Sequence, residues 1–231
     1  MEKEIIEQLV GLYRGNRFKI ERFLDNVKGF FEKNPTLHQG QFPAVHSVKG
    51  RLKDEDHLRD KLRRKTDEGA SISEANFFHE ITDLAGVRVL HIYQKQFEEI
   101  HNAILRQIED GEWVLGEDPI AYSWDPEAES YFESLGIATK VKESFYTSVH
   151  YLVRPREGSF ICCEIQVRTL FEEVWGEIDH AINYPHPIND VACTEELRVL
   201  SKYISTGSRL ASAILRSFED YSKRENTDAI E

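Results

Sequence analysis

Apolar positions change their spacing at one place in this chain, and the change marks its most informative segment. From Phe160 to Arg168 they alternate. Ile161, Cys163, Ile165 and Val167 fall on one side, and Phe160, Cys162, Glu164, Gln166 and Arg168 on the other, the period of a strand with one face in a core. From Leu170 the spacing becomes three and four (Leu170, Phe171, Val174, Ile178, Ala181), so a helix follows directly. A carboxylate, an amide and a guanidinium thus line one strand face, where they need water, partners or a ligand. A solvated strand face and the floor of an active site both meet that need.

The same periodicities lay out the rest. Apolar stripes at Ile5, Ile6, Leu9, Val10 and Tyr13, then at Ile20, Phe23, Leu24, Val27 and Phe30-Phe31, predict two helices over about 2–33, or one broken near Gly15-Asn16. Asn34-Pro35 ends them, and Gly40 to Pro43 reads as a loop. A short strand is expected over 45–52, with Val45, Ser47, Lys49 and Arg51 on one face. Asp54 or Asp56 can cap the next helix, which carries Leu58 and Leu62. Ser71-Ile72-Ser73-Glu74 has the form of a capping box for a short helix through Phe77-Phe78. Residues 86–93 alternate as a strand, and 97–108 form an amphipathic helix. Trp113 to Gly136 holds Glu117, Asp118, Asp125, Glu127, Glu129 and Glu133 without one Lys or Arg, and reads as an irregular acidic insertion. Strands over 146–154 and 160–169 meet at a hairpin turn around Gly158. After Pro185-His186-Pro187, helical stretches over about 193–223 end in a polar tail. Strands mixed with helices, including an antiparallel hairpin, give an α+β domain with a small mixed sheet flanked by helices.

Length and composition narrow the class. The 231 residues are 40% hydrophobic, enough for one large domain or a domain with a helical appendage. The first residues already form an amphipathic helix without signal-peptide layout, and no apolar run reaches membrane-spanning length. Cys162 and Cys163 are adjacent and Cys193 is distant, giving neither a disulfide framework nor a CxxC knuckle. A reducing, cytoplasmic setting is expected. The net charge of −12 argues against wholesale binding to a nucleic-acid backbone or an anionic membrane. Against that background, 49–65 holds eight basic and four acidic residues, a net of +4. Local positive charge in an acidic chain suits a small polyanion.

Three constellations can carry chemistry. Asp83 stands before one strand and Glu164 lies within another, so the two can jointly hold a hard cation such as Mg²⁺. A turn residue and an ordinary ion pair with Arg168 or Arg88 are the plain alternatives. Arg51, Lys53, Lys61, Arg63, Arg64 and Lys65 supply what phosphate oxygens need, although alternating charges also suit a solvated helix face. Lys61 and Lys65 share a face by their spacing and are the stronger candidates. Tyr146, Ser148 and His150 project from one strand face, after Lys140 and Lys142, and can stack on a base and bond phosphate or ribose. An ordinary half-buried strand fits them too. His79-Glu80-Ile81-Thr82-Asp83 lacks the second histidine of a zinc-protease helix, and there is no GxxxxGK[ST], GxGxxG or Gly-x-Ser-x-Gly. Phosphate chemistry here has to come from side chains and metal.

Four ordered segments carry a resemblance over about Val45 to Tyr184. They are Gly50-Arg51-Leu52-Lys53 with Lys61-Leu62-Arg63-Arg64-Lys65; Asp83-Leu84-Ala85-Gly86-Val87-Arg88; Tyr146-Thr147-Ser148-Val149-His150; and Glu164-Ile165-Gln166-Val167-Arg168-Thr169 followed by Trp175 and His180. Together they resemble the synthetase domain of the RelA/SpoT family of (p)ppGpp synthetases. The resemblance implies a nucleotidyltransferase-like fold over residues 44–186, with helical segments at 1–43 and 187–231. It implies transfer of pyrophosphate from ATP to the 3′-hydroxyl of GDP or GTP, with release of AMP, in the bacterial stringent response. By position, Asp83 and Glu164 would bind Mg²⁺, and Glu164 could also act as base. Arg51 and Arg88 would sandwich adenine, and Lys53, Lys61 and Arg64 would hold ATP phosphates. Tyr146 would stack on guanine, with Lys142, His150, Gln166 and Arg168 on acceptor and phosphates.

The family's acceptor loop reads Lys-x-Asn-Gly-Tyr, whereas this chain has Lys142-Glu143-Ser144-Phe145-Tyr146. The hydrolase domain of long members has no counterpart, so the expectation is a stand-alone small alarmone synthetase whose flanking helices can mediate homo-oligomerisation. Two other readings stay open. One is a related toxin that pyrophosphorylates tRNA or makes adenosine alarmones; the other is a catalytically dead nucleotide-sensing module, against which both retained carboxylates speak.

Overall fold

The computed structural model describes residues 3–183, 188 and 190–228. A six-stranded mixed sheet runs through its centre in the order β1-β2-β6-β5-β3-β4. The strands are β1 (Ser47–Leu52), β2 (Ala85–His91), β3 (Val114–Tyr122), β4 (Ala138–Lys140), β5 (Ser148–Arg154) and β6 (Cys163–Thr169). β2 pairs with β6 and β3 with β4 in parallel; the other pairs are antiparallel. The α+β architecture expected from the strand and helix periods is therefore present, with helices on both sides.

Odd-numbered residues of β2, β5 and β6 (Val87, Val89, Val149, Tyr151, Ile165, Val167) are buried in one core. Helix α1 (Lys3–Lys33) and helix α4 (Lys95–Glu109) add their apolar stripes to it. The break near Gly15-Asn16 does not occur, and α1 runs unbroken for 31 residues. Gly15 lies on the exposed side, and Asn16 Nδ2 donates to Leu12 O at 2.9 Å, so neither interrupts the helix. Tyr13 ties α1 to the sheet by donating its hydroxyl to Lys53 O at 2.7 Å.

Helix α2 (Glu55–Asp67) is capped by Asp54, whose carboxylate accepts from the amides of Asp56 and His57. The capping box at Ser71–Glu74 does not form. Helix α3 is only Phe77–Glu80, and Asn76 Oδ1 organises the turn before it by accepting from Ser73 N at 2.7 Å. The irregular insertion is also corrected, because 113–136 holds strand β3 and helix α5 (Pro126–Ser134). Register shifts between Leu115 and Glu117 and between Glu117 and Ile120 break the alternation that would have revealed β3. Gly116 is required there: a Cβ would lie 2.8 Å from Arg154 Nε.

Helix α6 (Leu170–Asn183) packs differently from its apolar stripe. Its buried residues are Glu173 and Trp175, while Val174 and Ile178 are exposed. The cause is the polar sheet face beneath it, which presents Lys49, Arg88 and Arg168, so an acid goes inward. Helix α7 (Val191–Asp228) packs on α6 and leaves Val199, Tyr203, Leu210, Ile214 and Tyr221 exposed. The break expected at Pro185-His186-Pro187, the boundary at Tyr184 and the end of the polar tail lie outside the described residues. No helix among the described residues is long and apolar enough to cross a membrane.

Candidate active site

Strand register builds the site. One row across the polar face reads Lys49, Arg88, Gln166, His150, and the next reads Arg51, Gly86, Glu164, Leu152. Asp83 enters two residues before β2, so it stands at the same end of the sheet as Glu164, close enough that its charge opposes ionisation of Glu164.

Two groups of contacts surround these carboxylates. Lys53 Nζ lies 2.9 Å from Asp83 Oδ2, and Lys61 Nζ 2.9 Å from Oδ1. Burial alone would raise the Asp83 carboxyl, but the two ammonium groups outweigh it and hold its pKa at about 2. Burial lowers the pKa of Lys53 against the pull of Asp83. Glu164 Oε1 is 3.0 Å from His150 Nδ1, and Oε2 accepts from Gln166 Nε2 at 2.7 Å. Burial acts to raise the Glu164 carboxyl, yet these bonds and the imidazole leave it lowered, so both acids are carboxylates at neutral pH.

With Nδ1–H donating to Glu164, a neutral His150 ring leaves Nε2 to accept the Tyr146 hydroxyl, 3.1 Å away. Lys142 Nζ sits 3.9 Å from the Tyr122 ring centroid and 4.4 Å from that of Tyr146. Burial lowers the Lys142 pKa, with Glu164 acting the other way. Arg168 is buried, lies 5.7 Å from the Tyr146 centroid and pairs with Glu173. A cleft of about 210 Å³ opens beside this group, lined by Lys49, Gly50, Arg51, Gly86, Val87, Arg88 and Gln166.

Eleven of the twelve residues singled out by position therefore surround one polar face: Arg51, Lys53, Lys61, Asp83, Arg88, Lys142, Tyr146, His150, Glu164, Gln166 and Arg168. Arg64 is not brought there; it is more than half exposed, and its ion pair is with Glu68 at 3.9 Å. Lys65 is drawn away to Glu80 and Arg63 to Asp60. Ser148 is buried and donates to Val167 O. The plain alternative for Glu164, an ion pair with Arg88 or Arg168, is absent among the described residues. Both arginines go instead to Glu173, and Arg88 also to Glu177 at 2.5 Å. Glu173, Glu177 and Tyr122 were missed. Tyr122 falls in the bulged strand read as irregular, and Glu173 falls on the side of α6 that its apolar spacing turned outward.

Comparison with known proteins identifies the fold and the family. The model for the region found in RelA/SpoT proteins matches residues 50–189. GTP pyrophosphokinase YwaC of Bacillus subtilis (strain 168) is 28% identical over 177 residues, covering 76% of this chain and 75% of that protein. The crystal structure of small alarmone synthetase 1 from Bacillus subtilis aligns with a TM-score of 0.70 at 20% identity, over 90% of this chain and 99% of that one. The same synthetase bound to its product pppGpp aligns with a TM-score of 0.66 at 20% identity, over 89% and 98%. The structures establish the shared fold, and the family match spans more than half of the sequence. The chain belongs to the RelA/SpoT family.

Proposed function

We propose that this protein is a pyrophosphokinase that moves the β,γ-pyrophosphoryl group of ATP to the 3′-hydroxyl of GDP or GTP, releasing AMP. One observation carries the reading: two ionised carboxylates, Asp83 and Glu164, stand at the same end of the sheet within a ring of cations. A relative that is 28% identical is named as a GTP pyrophosphokinase, which supports the reading. Residues 44–186 would be the catalytic unit, with 1–43 and 187–231 as helical flanks.

The donor set fits Mg²⁺. Both donors are hard carboxylate oxygens, and Asp83 Oδ1 is buried without a well-aligned hydrogen bond although Lys61 is close. Among the described residues no third acid, histidine or cysteine joins them, which suits an ion that keeps water and phosphate oxygens as its other ligands. Bound there, Mg²⁺ would neutralise phosphate charge and align the triphosphate.

The remaining work falls to the chain. Arg51 and Arg88 flank the cleft and would hold adenine between them once Arg88 leaves Glu177. Lys53 and Lys61 would pass from Asp83 to ATP phosphates, with Arg64 at the outer edge. Lys142 now covers the Tyr146 ring, so it would swing aside for guanine to stack and turn its ammonium to phosphate. Glu164 would take the 3′-hydroxyl proton, oriented by His150 and Gln166, as the acceptor oxygen bonds to the β-phosphorus and AMP departs. Arg168 buttresses Tyr146 from beneath. The apolar residues exposed on α7 are the surface a second copy would cover, which light scattering of the purified protein measures.

Pure protein incubated with ATP and Mg²⁺, and separately with GDP, GTP, GMP, no acceptor or deacylated tRNA, tests the reading. AMP release with a guanosine acceptor is expected, reduced about 10³-fold in Glu164→Gln. Labelled tRNA with untouched GDP sinks it in favour of the toxin reading. Nucleotide binding without AMP release in any arm indicates a sensor.

A further inference from the structure

The segment between β4 and β5 contains the single non-glycine residue among those described with a left-handed backbone, Phe145, at φ 61°. Aromatic side chains resist that conformation and glycine does not, so something must hold Phe145 in it. Three contacts do so, and none comes from its own segment. Its ring stacks on Trp124 (5.2 Å, 20° between planes), beyond the end of β3. The Arg198 guanidinium of α7 lies 5.7 Å over the same ring. Its carbonyl accepts the Ser201 hydroxyl of α7 at 3.1 Å, and that hydroxyl accepts in turn from Trp124 Nε1 at 2.8 Å. Ser201 is buried, so water does not substitute for either bond. Within the segment, Phe145 N donates to Lys142 O at 2.9 Å and closes the turn.

The residues at the two ends of that turn are the ones that meet the acceptor. Lys142 begins it, and Tyr146 follows Phe145 directly. Helix α7 otherwise lies away from Asp83 and Glu164, yet through Ser201 it reaches the backbone one residue from Tyr146.

We propose that Trp124 and Ser201 are positioning residues for the acceptor nucleotide, locking Phe145 in its left-handed conformation and so presetting Lys142 and Tyr146. The lock replaces the freedom a glycine would give this turn with a fixed geometry, so that binding the acceptor orders less chain. This rests on the reading of Tyr146 and Lys142 as acceptor contacts.

Ser201→Ala removes the bridging hydroxyl, and Ser201→Thr keeps one. In the full chain without nucleotide, amide exchange over 142–147 is expected to quicken roughly three- to tenfold in Ser201→Ala, the effect of one lost hydrogen bond, and to recover in Ser201→Thr. In the pyrophosphotransfer assay, KM for the guanosine acceptor should rise by a similar, roughly three- to tenfold factor, with KM for ATP unchanged. Trp124→Leu should act in the same direction. Unchanged exchange over 142–147 overturns the proposal. So does an equal rise in both KM values, which marks a merely structural bond. If the wild-type chain releases no AMP with any guanosine acceptor, the functional reading fails, and the exchange experiment still decides the lock.

Discussion

Replacing Asp83 with Asn keeps the shape of the side chain and removes one charge from between two ammonium groups, each 2.9 Å away. The Asp83 carboxyl is held at about 2 against an ordinary 3.8. That depression means the carboxylate contributes roughly 2 kcal/mol to folding at neutral pH. Its side chain is 18% exposed, so solvent screening removes little of this. The substitution also leaves the Lys53 ammonium, whose side chain is 8% exposed, without its counter-charge. The expected loss at pH 7 is therefore about 2–4 kcal/mol. Because the folded pKa is depressed, the contribution is complete above pH 3.8 and disappears as pH falls through 2. At pH 3 roughly half of the charge contribution should remain. Urea titrations followed by circular dichroism at pH 7, 4 and 3, with linear extrapolation, measure the gap between the two proteins. Asp83→Asn as stable as wild type at pH 7, or a gap that ignores pH, refutes the reasoning.

His91 is fully enclosed, and its Nδ1 must carry the proton because its partner, 3.1 Å away, is the Tyr93 carbonyl. Burial pushes its pKa down to about 4 from 6.5. The unfolded chain thus takes up the proton first, and stability should fall by about 3 kcal/mol as pH drops from 6.5 to 4; His91→Phe should flatten that slope in the same titrations. Gly176→Ala would place a Cβ 2.6 Å from Arg168 Nη1 and 3.3 Å from its Cζ. Displacing the buried Arg168–Glu173 pair should cost about 1–3 kcal/mol, more than the ~1 kcal/mol that alanine adds to a helix, so the thermal midpoint should fall. A raised midpoint would show Arg168 free to move. Burial pushes the Cys162 thiol up to about 11 and raises the Cys163 thiol well above its ordinary value. Iodoacetamide at pH 7.5 should therefore label only Cys193 in the native protein and all three cysteines in urea, as mass spectrometry of the intact chain reports.

The polar face of β6 was legible because the strand is regular: seven residues without a bulge keep Glu164 and Gln166 on one face and Ile165 and Val167 on the other. Asp83 was legible from its place at the mouth of a strand, and His150 from its parity with Tyr146. The partners of the arginines were not. Whether Glu173 or Val174 faces the sheet depends on what lies beneath α6, and three basic side chains there outweigh local apolar spacing. Strand β3 was hidden by its own irregularities, at Gly116 and around Glu117. Gly15 misled in the opposite sense, since tertiary packing of α1 overrides a local preference. The left-handed turn at Phe145 could be seen only in the structure, because its cause lies in Trp124 and Ser201, 21 residues upstream and 56 downstream.

The position of β6 in the sheet also bears on how the chain is made. It is the last strand in sequence, yet it occupies an interior place between β2 and β5. Without β6, β1-β2 and β5-β3-β4 are two separate half-sheets. Each exposes an unsatisfied interior edge until residues 163–169 emerge. Insertion of β6 closes both edges in the same event that brings Glu164 beside Gly86. A chain interrupted before Cys163 lacks Glu164 and leaves both interior edges without a partner strand, a condition that favours aggregation. The strand that carries Glu164 is thus the one that joins the two halves of the sheet.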